Sequence, residues 1–435
     1  MTVELVPVPS ETVNDVQSND VHKLVKRHAP ILYFDRLEPF LPCAVGYTVF
    51  TSDAESASFK RHIKLPEGVN TAIEYAIWWD WDIQHLYELE HLWIYLDKND
   101  KLVYCEGSFH GKFHVLEPSS DETSSNQPSS ESGRAKAYSE PGKHAFFANP
   151  SALADLRHIN QQSCGKLAGK GDVLINDMFA DVMTASAQQR RLCKRYMQAH
   201  AFDPSYEFGL RVDVSSLPLL PWDALKAWIP QRITSWLELL EHTLPYIQAV
   251  LLDSGDTLID EGTEVKDDDG IVLSASLIPT ADELIKTLKQ QGYPLALVAD
   301  GEVQSFKNVL GQHGLFEQFD VHVISETVGV LKPDEKMFVT ALEALNLSDS
   351  ITTVMVGNNL ARDIKGANAL GITSVWLDWA PRRSKVPEND SERPDYSIKL
   401  PIDLVDVLAS LEIEVARAYL QRNTPQPTHS PATTP

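Results

Sequence analysis

The sequence predicts a multidomain chain, with a mainly β, sandwich-like N-terminal domain carrying some helices and then an α/β domain with a doubly wound parallel sheet. Three observations carry this expectation. The chain has 435 residues, more than a single core usually accommodates. Its early part strings aromatic and β-branched runs between polar turns, the pattern of successive strands. From Ile247 onward short apolar runs alternate with amphipathic stretches, the pattern of strand–helix–strand units.

Taken in order, residues 1–20 are polar and expected to fray. A domain over 20–220 opens with "APILYFD", "AVGYTVF", "AIEYAIWWDW", "LEHLWIYL" and "KLVYCEGSF", read as strands of a mostly antiparallel sheet or sandwich. Residues 118–134, "PSSDETSSNQPSSESGR", are low in complexity and read as a disordered loop. A helix is expected within "DVMTASAQQRRLCKRYMQAH". The connector 221–246 is amphipathic, and Pro230 is expected to break it into two helical pieces.

The third region, 247–412, reads as strand "IQAVLLD", helix "TADELIKTLKQQG", strand "PLALVAD", helix "VQSFKNVLGQHG" and strand "FDVHVISE". It continues with helix "DEKMFVTALEALN", strand "TTVMVGN", helix "LARDIKGANALG" and strand "TSVWLDW". Ligands of such sheets bind at the carboxyl ends of the strands. The tail, 422–435, is expected to be disordered.

Composition narrows the function classes. A formal net charge of -23 repels phosphate backbones and anionic lipid surfaces, so no nucleic-acid partner is expected. A phosphorylated small molecule would need local compensation by lysine, arginine or a divalent cation. No basic segment followed by an apolar core opens the chain, and no run approaches the roughly 18 apolar residues of a membrane span. Cys43, Cys105, Cys164 and Cys193 form no CxxC pair, which suits a reducing compartment. A cytoplasmic location follows as the expectation, and self-association into a homo-oligomer stays open.

Four stretches fall at the predicted strand ends of the third region. They are Asp253 with Thr257, then Ala299-Asp300-Gly301, then Lys332-Pro333-Asp334, then Gly357-Asn358 with Asp363. In this order and spacing they resemble the four motifs of the haloacid dehalogenase superfamily of phosphohydrolases, over about residues 246–412. The resemblance implies a Rossmann-like frame and an aspartyl-phosphate mechanism. Asp253 would be the nucleophile, beside Thr257, and Lys332 would neutralise nucleophile and phosphate. The phosphoryl group would lie against Ala299, Asp300, Gly301 and Lys332. Magnesium would be held by Asp253, the Gly255 carbonyl, Asn358 and Asp363.

Three positions depart from that pattern. Gly255 replaces the aspartate that protonates the leaving group, and Asp256 comes one place too late to point the same way. Ala299 replaces a phosphate-binding hydroxyl, and Asn358 replaces the first acid of the fourth motif. Losing a general acid costs about 10²–10⁴ in rate, and losing one oxyanion donor about 10²–10³. The expectation is therefore a magnesium-dependent phosphohydrolase that favours good leaving groups, or else a weak or inactive scaffold. Dehalogenase chemistry also lacks the second aspartate but needs no metal, so Asp363 favours phosphate. The stretch from Leu258 to Ala281 is too short for a helical lid, which predicts no large cap.

The N-terminal region holds a second constellation, "WWDWDIQHLYELEHLWIYL", with "GSFHGKF" and "GKHAFF" after it. Asp80, Asp82, His85, Glu88, Glu90 and His110 offer hard oxygen donors with imidazole, suiting Ca²⁺, Mg²⁺ or Mn²⁺. On a strand Glu88 and Glu90 share a face, where two carboxylates repel unless a cation or proton separates them. A structural hydrogen-bond network explains the same residues. The spacing of His85, Glu88 and Glu90, with Ser108–Gly111 and Gly142–Ala145, resembles the metal-binding core of the necrosis- and ethylene-inducing-protein-like β-sandwich. That resemblance implies a fold and a metal site, and with it an alternative in which hydrolase or lyase chemistry belongs to the N-terminal domain.

Overall fold

The structure, a computed structural model, describes residues 4–10, 16–116, 130–171, 173–174, 178–179 and 182–423. It divides into two compact units, Met1–Ala185 with Leu192–Thr243, and Ser186–Arg191 with Leu244–Pro435. The expected disordered tail falls almost wholly outside the described residues, as does most of the loop expected at 118–134.

Among the described residues the N-terminal unit contains ten main strands: β1 (Ile31–Phe34), β2 (Ala44–Phe50), β3 (Thr71–Trp81), β4 (Leu86–Leu96), β5 (Leu102–Phe109), β6 (Lys112–Val115), β7 (Arg134–Ser139), β8 (Phe146–Phe147), β9 (Leu210–Asp213) and β10 (Leu219–Pro221). They form two mixed sheets, one ordered β8-β7-β1-β9 and the other β10-β2-β3-β4-β5-β6. Pairs β1–β7 and β10–β2 are parallel; the other neighbours are antiparallel. One buried cluster draws Leu32, Phe34 and Ala137 from the first sheet and Val45, Ile73, Ile77, Trp79 and Ile94 from the second. Successive side chains on a strand point to opposite faces, so the alternating run of β3 feeds this core from every second residue.

Three sequence expectations need correction here. Residues 16–28 form a helix rather than a frayed arm. Upstream, Val6 and Pro7 are tied down: Arg232 donates to the Val6 carbonyl at 2.9 Å and Trp228 to the Pro7 carbonyl at 2.8 Å. Residues 130–134 are paired, with Ser130–Glu131 running antiparallel to the start of β7. Pro230 does not divide the connector, because one helix runs from Trp222 to Thr243. An interior proline costs about 3 kcal/mol. Trp228, Ile229, Ile233, Leu237 and Leu240 are all buried along that helix, and each such side chain is worth about 1.5–3 kcal/mol. Packing outweighs the proline.

The C-terminal unit is built on β11 (Ala249–Leu252), β12 (Leu295–Ala299), β13 (Val321–Ile324), β14 (Thr353–Gly357), β15 (Thr373–Leu377) and β16 (Tyr396–Ile398). All are parallel, in the order β13-β12-β11-β14-β15-β16. Alternation splits the strands between two cores: Val250, Leu252, Leu295 and Val356 face one, and Leu251, Ala296, Val298 and Met355 the other. Buried on both faces, the strands read as unbroken apolar runs. The strand order reverses between β11 and β12 on one side and β14 on the other. A crevice opens there at the carboxyl ends. Between β11 and the helix Ala281–Gln290 lie only a short helical turn, Glu261–Thr263, and a two-stranded ribbon, Val265–Lys266 with Val272–Ser274.

Candidate active site

Asp253 follows the last residue of β11, the central strand, and is mostly buried at its tip. Lys332, also buried, donates to Asp253 Oδ1 at 2.7 Å and to the Val298 carbonyl at 2.8 Å. Its Nζ lies 2.6 Å from Asp363 Oδ1. Burial alone would depress the Lys332 ammonium, but the charges of Asp253, Asp363 and Asp300 hold it above the ordinary lysine value. Asp363 is pushed the other way, upward, by burial and by the Asp253 charge, with Lys332 opposing. Thr257, placed by the tight turn after β11, donates to Asp253 Oδ2 at 3.0 Å. Both carboxylate oxygens of Asp253 are thereby fixed.

Asp363 sits in a π-helical turn, Leu360–Ile364, directly after β14, the kind of local bulge that often re-aims a functional side chain. Asn359 caps that turn, and its backbone N–H donates to Asp363 Oδ2 at 2.9 Å. The carboxyl folds over Gly357, where any β-carbon would collide with it. Asn358 is buried; its side-chain nitrogen has no partner.

Asp300 and Gly301 line the crevice but are already engaged. Asp300 accepts from the Lys332 backbone N–H at 3.0 Å and from Arg362 at 3.2 Å, while the Gly301 N–H donates to Ser325 Oγ at 2.9 Å. Ala299, expected against the phosphoryl group, packs instead into the apolar core and is not among the residues lining the crevice. It is the last residue of β12, and its side chain takes the core-facing side of the pleat. Asp256 is fully buried and forked by Arg382, which donates to it from Nε at 2.7 Å and also from Nη2. The crevice holds about 240 Å³.

Among the crevice residues that sequence reasoning did not single out are Glu261 and Arg383. Arg383 donates to Glu261 Oε2 at 2.8 Å. Burial raises the Glu261 carboxyl above the ordinary value, with Arg383 opposing and the Asp256 and Asp253 charges assisting. A polar "DEGT" turn carries no signal of this in the sequence.

In the N-terminal unit, β3 and β4 are joined by a turn in which Asp82 accepts from the backbone N–H groups of Gln84 and His85, at 2.5 Å each. That turn brings Asp82, His85 and Glu88 together, with one ligand atom from each lying within 4.8 Å of the others. Lys143 is already there, donating to Asp82 Oδ2 at 2.6 Å. Glu88 also lines, with Glu90 and His110, a cleft of about 550 Å³. Burial raises Glu88 and Glu90 above the usual carboxylate range; the Glu90 charge raises Glu88 further, and a Ser108 hydroxyl hydrogen bond opposes the rise at Glu90. His110 pairs with Glu140 at 2.9 Å. Asp80, expected with this group, is elsewhere: the Arg232 guanidinium forks it at 2.6–3.2 Å and Trp78 donates to it. Asp80 is still within the strand, where Arg232 reaches it, whereas Asp82 lies past the strand's last residue, Trp81, and begins the turn. No helix among the described residues is long and apolar enough to cross a membrane.

Residues 175–371 match the family model described as haloacid dehalogenase-like hydrolase. Among curated proteins the chain is similar to the glyceraldehyde 3-phosphate phosphatase of Methanopyrus kandleri, 33% identical over 135 residues, 31% of this chain and 56% of that protein. It is similar to the phosphoserine phosphatase of Thermus thermophilus, 32% identical over 122 residues, 28% and 47% of the two chains. It also matches the (S)-2-haloacid dehalogenase of a Pseudomonas species, 32% identical over 129 residues, 29% and 53%. The chain spans about half the length of these relatives.

Proposed function

We propose that this chain, which carries a haloacid dehalogenase-like hydrolase domain in its C-terminal region, is a magnesium-dependent phosphohydrolase acting on a small phosphorylated metabolite through an aspartyl-phosphate on Asp253. One observation carries the reading. A single buried ammonium, Lys332, touches Asp253 at 2.7 Å and Asp363 at 2.6 Å at the floor of a crevice. In a chain of net charge -23, a built-in cation beside a fixed carboxylate is the feature an incoming phosphate requires.

The donor set suits a hard divalent cation. Two carboxylates, Asp253 and Asp363, and the Asn358 side-chain amide all line the crevice; oxygen-rich sites of this kind take magnesium. Asp253, the Gly255 carbonyl, Asn358 and Asp363 would hold the ion, which when bound supplies charge neutralisation of the transferred phosphoryl group. Lys332 offsets charge on the nucleophile, and Thr257 orients its second oxygen. The phosphatase relatives support phosphate over halide as the substrate chemistry. The test is turnover of a phosphometabolite panel by wild type and Asp253→Asn, with and without magnesium. Loss of turnover in the variant supports the reading.

A second reading, with hydrolase or lyase chemistry at a metal site in a sandwich-like N-terminal domain, is favoured only by the grouping of Asp82, His85 and Glu88. The Lys143 ammonium already serves Asp82 as a counter-charge, and a divalent ion would compete with it. Metal analysis, with melting measured before and after exhaustive chelation, tests this reading: bound metal and a lowered melting temperature support it.

A further inference from the structure

We infer that Glu261 is the general acid of the Asp253 site, delivered from the turn that follows the nucleophile into the space left open by Gly255. The inference rests on the phosphohydrolase reading and goes beyond it by naming the proton donor.

Displacing an alkoxide from phosphorus requires a proton at the leaving oxygen, and Gly255 offers no side chain to supply one. Six carboxyl groups line the crevice. Asp253 is the nucleophile. Asp300 is held by the Lys332 backbone N–H and by Arg362, and Asp363 by Lys332 and the Asn359 N–H. Glu264 pairs with Lys266 at 3.0 Å, and Glu302 faces the Ser305 hydroxyl at 3.4 Å. The sixth, Glu261, has a partner as well, in Arg383; what sets it apart is position, since its carboxyl occupies the volume a side chain at 255 would enter. A β-carbon built on Gly255 would overlap Glu261 Oε1 and lie 2.9 Å from Glu261 Cδ.

The turn is built to hold it there. Asp256, with a left-handed backbone (φ 52°), is fully buried and forked by Arg382. Its Oδ1 accepts from the Glu261 backbone N–H at 3.2 Å. Asp260 caps the next residue, accepting from the Gly262 N–H at 2.9 Å. Asp256 is thus a positioning residue, and Arg383 fixes the outer oxygen of Glu261 at 2.8 Å, leaving Oε1 toward Gly255.

The two half-reactions balance. As an Asp253 oxygen bonds to phosphorus, the bond from phosphorus to the leaving oxygen breaks with its electron pair, and the Glu261 proton passes to that oxygen. Water then attacks phosphorus, its proton goes to the Glu261 carboxylate, and Asp253 departs as a carboxylate, releasing inorganic phosphate. Read from Gly255 alone the site is limited to leaving groups that depart unassisted. Glu261 lifts that limit.

The test uses the full chain with magnesium and monoesters graded from aryl to alkyl leaving groups, comparing wild type, Glu261→Gln, Gly255→Asp and Gly255→Asp/Glu261→Ala, each checked for an intact melting transition. Glu261→Gln should lower alkyl phosphate turnover by about 10²–10⁴, the loss shrinking steadily as the leaving group improves. Gly255→Asp alone should gain little, since its side chain meets Glu261. The double variant should recover alkyl turnover. A Glu261→Gln loss that is equal across the series, or absent, with Asp253-dependent turnover intact in wild type, overturns the inference alone. Absence of Asp253-dependent turnover on every ester overturns the phosphohydrolase reading and the role of Glu261 with it.

Discussion

Asp363 lays its carboxyl across Gly357, in the space that a β-carbon at 357 would fill. The glycine is what lets the end of β14 and the π-helical turn approach closely enough for Asp363 to meet Lys332. Gly357→Ala should therefore push Asp363 away from the crevice. Overpacking of this kind costs about 1–3 kcal/mol, and the activity loss should exceed what that destabilisation explains. Denaturant unfolding and turnover measured on one preparation check this; wild-type turnover in a folded Gly357→Ala protein would refute it.

Lys332 separates two buried carboxylates. Lys332→Met should leave Asp253 and Asp363 facing one another uncompensated, and breaking a buried pair costs about 3–5 kcal/mol. Magnesium should then stabilise the variant more than it stabilises wild type, because a cation replaces a cation. Melting curves across a magnesium titration measure the difference. Equal shifts in the two proteins would mean the carboxylates do not share an ion.

His200 gives a pH dependence in the N-terminal unit. Its ring lies against Phe40 and Tyr196, with centroids 5.0 and 4.4 Å away, and burial holds its pKa below the ordinary value, while a hydrogen bond to the Tyr196 carbonyl opposes the shift. The unfolded chain then takes up a proton that the folded one refuses, so stability is full above pH of about 6.5 and falls as pH drops through it. His200→Phe should flatten that decline between pH 7.5 and 5.5, read from unfolding midpoints. An unchanged slope would count against it.

Much of the C-terminal unit was legible because its strands are buried on both faces and are bounded by turn residues, so "AVLL", "LALVA" and "TVMVG" stand out as strands. Asp253, Lys332 and Asp363 were legible as a motif, but the ion pairs that join them, the first across 79 residues, are a property of the parallel sheet order. Ala299 was misplaced because the sequence locates a strand end without fixing which side of the pleat the last side chain takes. Pro230 misled because propensity does not register the buried face on either side of it. Asp80 and Asp82 could not be separated without knowing that Arg232, 152 positions away, claims the first. Glu261 left no trace, since its position follows from the Asp256–Arg382 clamp, which joins residues 126 apart.

Covalent phosphoryl transfer to Asp253 is tested by following phosphate release from a panel of phosphate esters by wild type and Asp253→Asn, with thermal melting run in parallel. The asparagine keeps the shape, and Lys332 keeps Asp363 as its partner, so melting should shift little while magnesium-dependent turnover disappears. Undiminished turnover in a folded Asp253→Asn protein would contradict the account.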